Sequence, residues 1–366
     1  MEKGQISAGQ FFVLLFGYLL GTSFFFLTGE LITTAKQDAW IVPLWAGTAG
    51  VIMSFIWLKL ANHYPGLTIV QICTQAAGKG IGGLIALLYI GYFVHLSALV
   101  TRNLGDYMKQ SLLTQTPITI IHVMFLLIIC YAVGKGIETI ARATQILIPI
   151  FTLTLLFIII FSLSEWNWDR FQGMFQMNVW ATMKETRSIL GFPYMEAIVF
   201  MMLFPFVRSK IKRNLVFGVV LTTIFLSATV LFIIGVLGVT RATHSKYPFF
   251  LIVQEIHIGG FEQMESTISL VLLIAVFIKL SITYYAAVLG LCQLFRVNNR
   301  SWLAISLILL ISGLSLGFNN VLENIVWTNR FYFEYMLFFA IIFPSLLLFM
   351  TWMKQSKGKQ KEGSKL

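Results

Sequence analysis

Ten separate stretches of this sequence are long and apolar enough to cross a lipid bilayer, and that property leaves few folds open. A transmembrane helix needs roughly 20 predominantly apolar residues. In hydrocarbon only helices and closed barrels satisfy every backbone polar group. Eight of the stretches carry no charge: residues 4–29, 39–58, 80–101, 110–134, 143–164, 214–240, 301–322 and 335–353. Two carry a single charge each: residues 188–207, with Glu196, and residues 266–294, with Lys279. In chain order they are spans 1 to 10. The predicted fold class is an all-α polytopic membrane protein with about ten transmembrane helices.

Composition agrees. Of the 366 residues 58% are hydrophobic and 11% charged, against about 25% charged in soluble domains. No polar block is long enough for a separate soluble domain, so we read residues 1–353 as one membrane domain and 354–366 as a basic, disordered tail that touches anionic headgroups weakly. The net charge of +11 would point to nucleic acid in a soluble chain. Here it is scattered between apolar runs and follows the positive-inside bias, so no nucleic-acid partner is implied. With the N-terminus, even-numbered loops and C-terminus on one side, that side holds 16 Lys and Arg and the other holds 8. Both termini are therefore expected in the cytoplasm. The cluster Arg208, Lys210, Lys212 and Arg213 is the strongest local vote. The first run is too long for a signal-peptide core and should remain as span 1. Cys73, Cys130 and Cys292 are far apart and lack CxxC spacing, so neither a disulfide framework nor a metal site is indicated. No protease, hydrolase or P-loop signature occurs, so the chain reads as a non-enzyme without a cofactor.

Two outer loops stand out. Residues 165–187 carry Trp166, Trp168 and Trp180, and residues 241–265 carry Tyr247, Pro248, Phe249 and Phe250. Such aromatics favour the membrane interface, or short helices that cap an outward-facing cavity.

Ten spans divide into two sets of five, and an odd number makes the second set enter from the opposite side. We take the sets as residues 8–164 and 186–353. Transporters built from inverted repeats place their substrate where the first helix of each set is interrupted. Span 1 contains Gly17-Tyr18-Leu19-Leu20-Gly21-Thr22-Ser23, and span 6 contains Gly191-Phe192-Pro193. Gly permits backbone geometries closed to other residues, and Pro removes a donor. For either span alone, Gly17-x-x-x-Gly21 packing or ordinary helix Gly and Pro explains the pattern. The coincidence at matching positions favours a binding site.

Glu196 and Lys279 lie near the centres of their spans. A charge at the midplane costs about 2.5–3.5 kcal/mol on insertion scales, so each is a functional candidate. Their similar depth permits an ion pair. Lys279 can also occupy a cation site as a fixed charge replacing a bound sodium, with Glu196 free to accept a proton or a substrate amine; a purely structural pair is the other reading. Arg102 and Asp106, at i and i+4, read as a local surface pair, with Glu30 as an alternative partner for Arg102. His95 reads as a hydrogen-bonded interior residue. Tyr92 one turn earlier can present its hydroxyl to a central cavity, and Thr283, Tyr284 and Tyr285 follow Lys279 by one turn.

Short motifs distributed along the chain resemble the endospore germination permeases, the B subunits of nutrient germinant receptors (GerAB-like), within the amino acid–polyamine–organocation transporter superfamily. They are Ile6-Ser7-x-x-Gln10 with Leu20-Gly21-Thr22-Ser23, Asp38-Ala39-Trp40, Tyr64-Pro65-Gly66, Gly78-Lys79-x-x-Gly82, Thr116-Pro117, Gly191-Phe192-Pro193-Tyr194-Met195-Glu196 and Tyr247-Pro248. The resemblance implies a LeuT-like 5+5 inverted repeat with broken helices 1 and 6 and a pocket between helices 1, 3, 6, 8 and 10. Carried over, it points to Gly21, Thr22, Ser23, Tyr92, Phe192, Pro193, Tyr194, Glu196, Thr283, Tyr284, Phe338 and Phe339. It implies a sporulation protein of the spore inner membrane that binds a small germinant, an amino acid or nucleoside. Its partners would be an A subunit, a C lipoprotein and membrane lipids. An active proton- or ion-coupled amino-acid permease fits the same features. A bundle whose pocket is filled by Phe192, Tyr194 and Phe338 would serve as a scaffold only.

Overall fold

The computed structural model describes residues 4–245, 247–254, 265–318 and 320–363. Lys3, Lys246 and residues 255–264 of the second outer loop, on which sequence expectations were placed, lie outside the described residues. Among the described residues eight helical stretches are long and apolar enough to cross a membrane, and two shorter apolar helices, Leu190–Met202 and Arg300–Ser315, complete ten spans. Described residues contain no β-strand, only a parallel bridge between Ile6 and Val207.

Span 1 starts at Ala8 behind a capping box. The Ser7 hydroxyl accepts from the Gln10 amide, and the Gln10 side chain accepts from the Ser7 amide. The helix Ala8–Gly21 is interrupted at Thr22 and again at Leu27, then resumes as Thr28–Ala35. Span 2 is Val42–His63, span 3 Gly83–Ser111, span 4 Ile118–Lys135 and span 5 Ile137–Ser162. Span 7 is Ile211–Thr243 and span 8 Glu265–Phe295. Span 8 runs through the middle, packed against spans 1, 3 and 5, while span 1 also packs on span 7. Lipid-facing surfaces are apolar, as on span 4, where Ile120, Met124, Leu127 and Ile128 are exposed.

Contacts between loops sort the two ends of the bundle. At one end the Ile6 amide donates to the Phe206 carbonyl (2.8 Å), the Gln5 amide to Glu138 (2.9 Å), and Asn214 Nδ2 to the Ala8 carbonyl (2.8 Å). At the opposite end Asp38, buried in the turn between spans 1 and 2, accepts from the backbone amides of Phe175, Gln176 and Met177 at 2.6–3.0 Å. One carboxylate thus fastens the span 5–6 loop to the span 1–2 corner. That loop forms the short helices Trp168–Phe171 and Val179–Glu185, and Pro248–Gln254 forms another after span 7. Span 7 breaks locally at Gly238, whose φ of +73° suits glycine. The Arg170 guanidinium donates to the nearby Gly235 and Val236 carbonyls, and the Asn167 amide also donates to Gly235 (3.0 Å).

Several sequence expectations need correction. Span 9 stops at Ser315, and span 10 begins at Val321, well before residue 335. The signal is Asn320, whose side chain accepts from the Glu323 amide (2.9 Å) and caps the helix. A helix at Ile69–Ala77, with a Thr68/Gln71 capping box, precedes span 3. The final helix, Phe343–Gly363, continues through most of the tail expected to be disordered. Because span 3 extends to Ser111, Arg102 and Asp106 are buried rather than a surface pair. Their 2.9 Å ion pair is joined by Arg102 donating to the Ser315 and Phe318 carbonyls at the end of span 9.

Candidate functional site

Four elements meet at mid-depth. Span 1 contributes Thr22, the residue at its first interruption. Ser23 follows, and its hydroxyl donates to the Leu19 (2.6 Å) and Leu20 (3.0 Å) carbonyls freed there. Gly21 is needed for the approach of span 8: a Cβ at that position would sit 3.1 Å from the Ala275 carbonyl oxygen. Span 6 opens with a π-helical turn, Leu190–Tyr194, in which Phe192 has extended φ/ψ (−123°, 115°), and continues as a 3₁₀ segment, Met195–Met202, that carries Glu196. Phe192–Pro193 is a cis peptide. Span 8 contributes Lys279, and span 10 contributes Tyr332.

Lys279 Nζ lies 2.5 Å from Glu196 Oε2. The pairing that the sequence left open is therefore present. Glu196 Oε1 accepts from the Tyr332 hydroxyl, Lys279 Nζ donates to Thr22 Oγ1 (3.2 Å), and the Phe192 ring lies 4.0 Å from the ammonium. Both charges are almost fully buried. Opposite charge, two hydrogen bonds and a ring face together compensate the removal of these groups from water.

This cluster is the floor of a cavity of about 290 Å³. Thr22, Phe192, Glu196, Lys279 and Tyr332 line its deep part. Its walls rise past Glu30, Asn103, Asp106, Asn324 and Thr328 towards His244, Ser245 and Tyr247, at the end of the bundle opposite the N-terminus. There Asn324 donates to Asn103 (2.8 Å), and Ser188 donates to Glu30 (2.9 Å), so Glu30 is not the partner of Arg102. At the N-terminal end the Ile6–Val207 bridge and the buried Phe11, Phe200 and Phe204 close the bundle. Described residues include no cluster of three metal-ligating side chains.

Of the residues singled out from sequence, the cavity wall gathers Thr22, Phe192, Glu196 and Lys279. Gly21, Ser23 and Pro193 are buried behind it. Tyr194 points away, its hydroxyl 2.9 Å from Thr223 Oγ1 on span 7. Thr283 accepts from Ser97 on span 3 (2.9 Å), and Tyr284 donates to the Ala304 carbonyl on span 9. Both brace span 8. Tyr92 is buried outside the wall, its ring stacked at 4.7 Å on Phe339. Phe338 is half exposed on the outer surface, away from the cavity, because span 10 turns its neighbour Phe339 inward instead. His95 Nδ1 contacts the Tyr335 hydroxyl (3.1 Å), as expected of an interior histidine. Sequence reading missed Tyr332, Thr328 and Asn324. They recur every fourth residue on one face of span 10, a polar stripe that becomes legible once Asn320 is recognised as its cap.

Comparison with known proteins gives the arrangement its context. The bundle matches the structure of MhsT in complex with L-phenylalanine, with a TM-score of 0.70 and 13% identity over 95% of this chain and 99% of that one. It also matches Mhp1, a nucleobase-cation-symport-1 family transporter in a closed conformation with bromovinylhydantoin bound (TM-score 0.66, 14% identity, 92% and 78% coverage). These matches give the LeuT-like transporter fold with spans 1 and 6 broken. In sequence the chain is 26% identical to spore germination protein KB of Bacillus subtilis (strain 168), over 99% of this chain and 98% of that protein. It is 23% identical to spore germination protein B2 of the same organism, over 98% of each. The profile of the spore germination protein family matches residues 5–321, and the chain belongs to that family.

Proposed function

We propose that this protein is the integral-membrane subunit of a spore germinant receptor, and that a small nutrient, an amino acid or nucleoside, enters the cavity and triggers germination. The observation that carries the reading is a nutrient-sized cavity ending on Glu196 and Lys279, with both broken spans forming its floor. Ligand pockets are typically about 300–1,000 Å³, and this one is at the small end. That a protein of the same fold holds L-phenylalanine supports an amino-acid-sized ligand. The charge asymmetry supports cytoplasmic termini, so the cavity opens outward, away from the spore core, in the spore inner membrane. An A subunit and a C lipoprotein are the partners that would receive the signal. Residues 8–164 and 186–353 are the two inverted halves of one membrane domain.

A second reading, a proton- or ion-coupled amino-acid permease, rests on the titratable pair at mid-depth. Germination of spores lacking this gene, tested on a panel of amino acids and nucleosides, separates the two. Loss of one nutrient response, restored by complementation, supports the receptor. Survival of every response together with reduced solute uptake in growing cells supports the permease.

A further inference from the structure

A second cavity, of about 310 Å³, lies at the N-terminal end of the bundle between the first turns of spans 1 and 7, lined by Gly9, Phe12, Arg213, Asn214 and Phe217. Its walls are aromatic: Phe12 stacks on Phe217 at 5.2 Å and on Phe16 at 6.2 Å, and Phe217 is 55% exposed on the outer face. Its rim is cationic. Arg208, Lys210, Lys212 and Arg213 are crowded into six positions and all exposed. None of them forms an ion pair among the described residues; Lys212 rests over the Phe55 ring of span 2, at 5.5 Å, and Arg213 faces the slot. An apolar slot on the lipid-facing surface, with uncompensated cations where the helices leave the membrane, matches an amphiphile with a negative headgroup.

We propose that this slot binds an anionic phospholipid, its phosphate against Arg213 and its neighbours and an acyl chain along Phe12 and Phe217. The positive-inside role of these cations is compatible with this, because a topology signal leaves the side chains free at the headgroup level. Asn214 already ties span 7 to the Ala8 carbonyl, so a lipid seated here braces the half of span 1 that leads to Thr22 and Lys279.

The test uses the full chain purified in detergent, with phosphatidylglycerol or phosphatidylcholine added and retention read by native mass spectrometry beside a thermal-unfolding midpoint. Phosphatidylglycerol should be retained several-fold more than phosphatidylcholine and should raise the midpoint. Arg213→Gln should abolish that preference, whereas Arg142→Gln, which changes an exposed cation elsewhere, should not. Gly9→Leu keeps every charge and fills the slot, where an added Cβ meets no neighbour closer than 3.9 Å; it too should lower retention several-fold. Equal retention of both lipids, or a preference unaffected by Arg213→Gln and Gly9→Leu, overturns the proposal. So does equal stabilisation by inorganic phosphate at matched ionic strength, which would make this a phosphate site without a lipid.

Discussion

Lys279 illustrates what a charge in a membrane protein requires. Its ammonium has a carboxylate, a hydroxyl and a ring face, each from a different span from its own. Removing one partner of such a pair leaves the other charge buried and uncompensated, at a cost of about 3–5 kcal/mol. Lys279→Ala should therefore lower the unfolding midpoint sharply in detergent. The double change with Glu196→Gln should recover part of the loss; a double variant as unstable as the single would mean that the pair itself is not the source. Tyr332→Phe removes one hydrogen bond to an ionised group, worth about 1.5–3 kcal/mol, and should be milder in the same assay. Glu196 and Lys279 were legible in the sequence because a lone charge in an apolar run stands out. Tyr332 was not, since a tyrosine fits interface, core or site equally well until its helix face is known.

At the scale of elements, close contact between helices depends on small residues. A Cβ on Gly47 of span 2 would lie 2.0 Å from Thr223 Oγ1 of span 7. Gly47→Ala should destabilise by about 1–3 kcal/mol through overpacking, read as a lower unfolding midpoint, with partial rescue by Thr223→Ala. An unchanged midpoint would show that spans 2 and 7 separate freely. Asp38 acts between loops: Asp38→Asn weakens charge-assisted acceptance from three amides. Hydrogen exchange at residues 175–177 should accelerate while exchange in span 8 stays unchanged. Sequence placed the spans well where apolar runs are bounded by charges. It erred at span 10, where Glu323, Asn324 and Asn329 dilute the apolar signal in a helix that faces the cavity rather than lipid. The charge-poor count that reveals a span thus conceals the half of a span that lines a polar site.

On the scale of the whole molecule, the bundle is closed at its N-terminal end and hollow towards the other, with both interrupted spans at the boundary. A ligand that prefers one arrangement of those spans shifts the population towards it by no more than its difference in affinity. The two inverted sets of five spans were legible from the count of spans and their two matched breaks, and the LeuT-like fold from the resemblance to the germination permeases. The cavity's composition was not, because it depends on which face of span 10 turns inward.

The most direct measurement is calorimetric binding of the nutrient to which gene-deleted spores stop responding, using purified wild-type protein and Thr328→Trp, which fills the upper cavity from a wall residue away from the ion pair. Binding by the wild type, lost in a variant that retains its unfolding midpoint, is the predicted result. Undiminished binding to the filled variant would contradict the assignment of this cavity as the nutrient site.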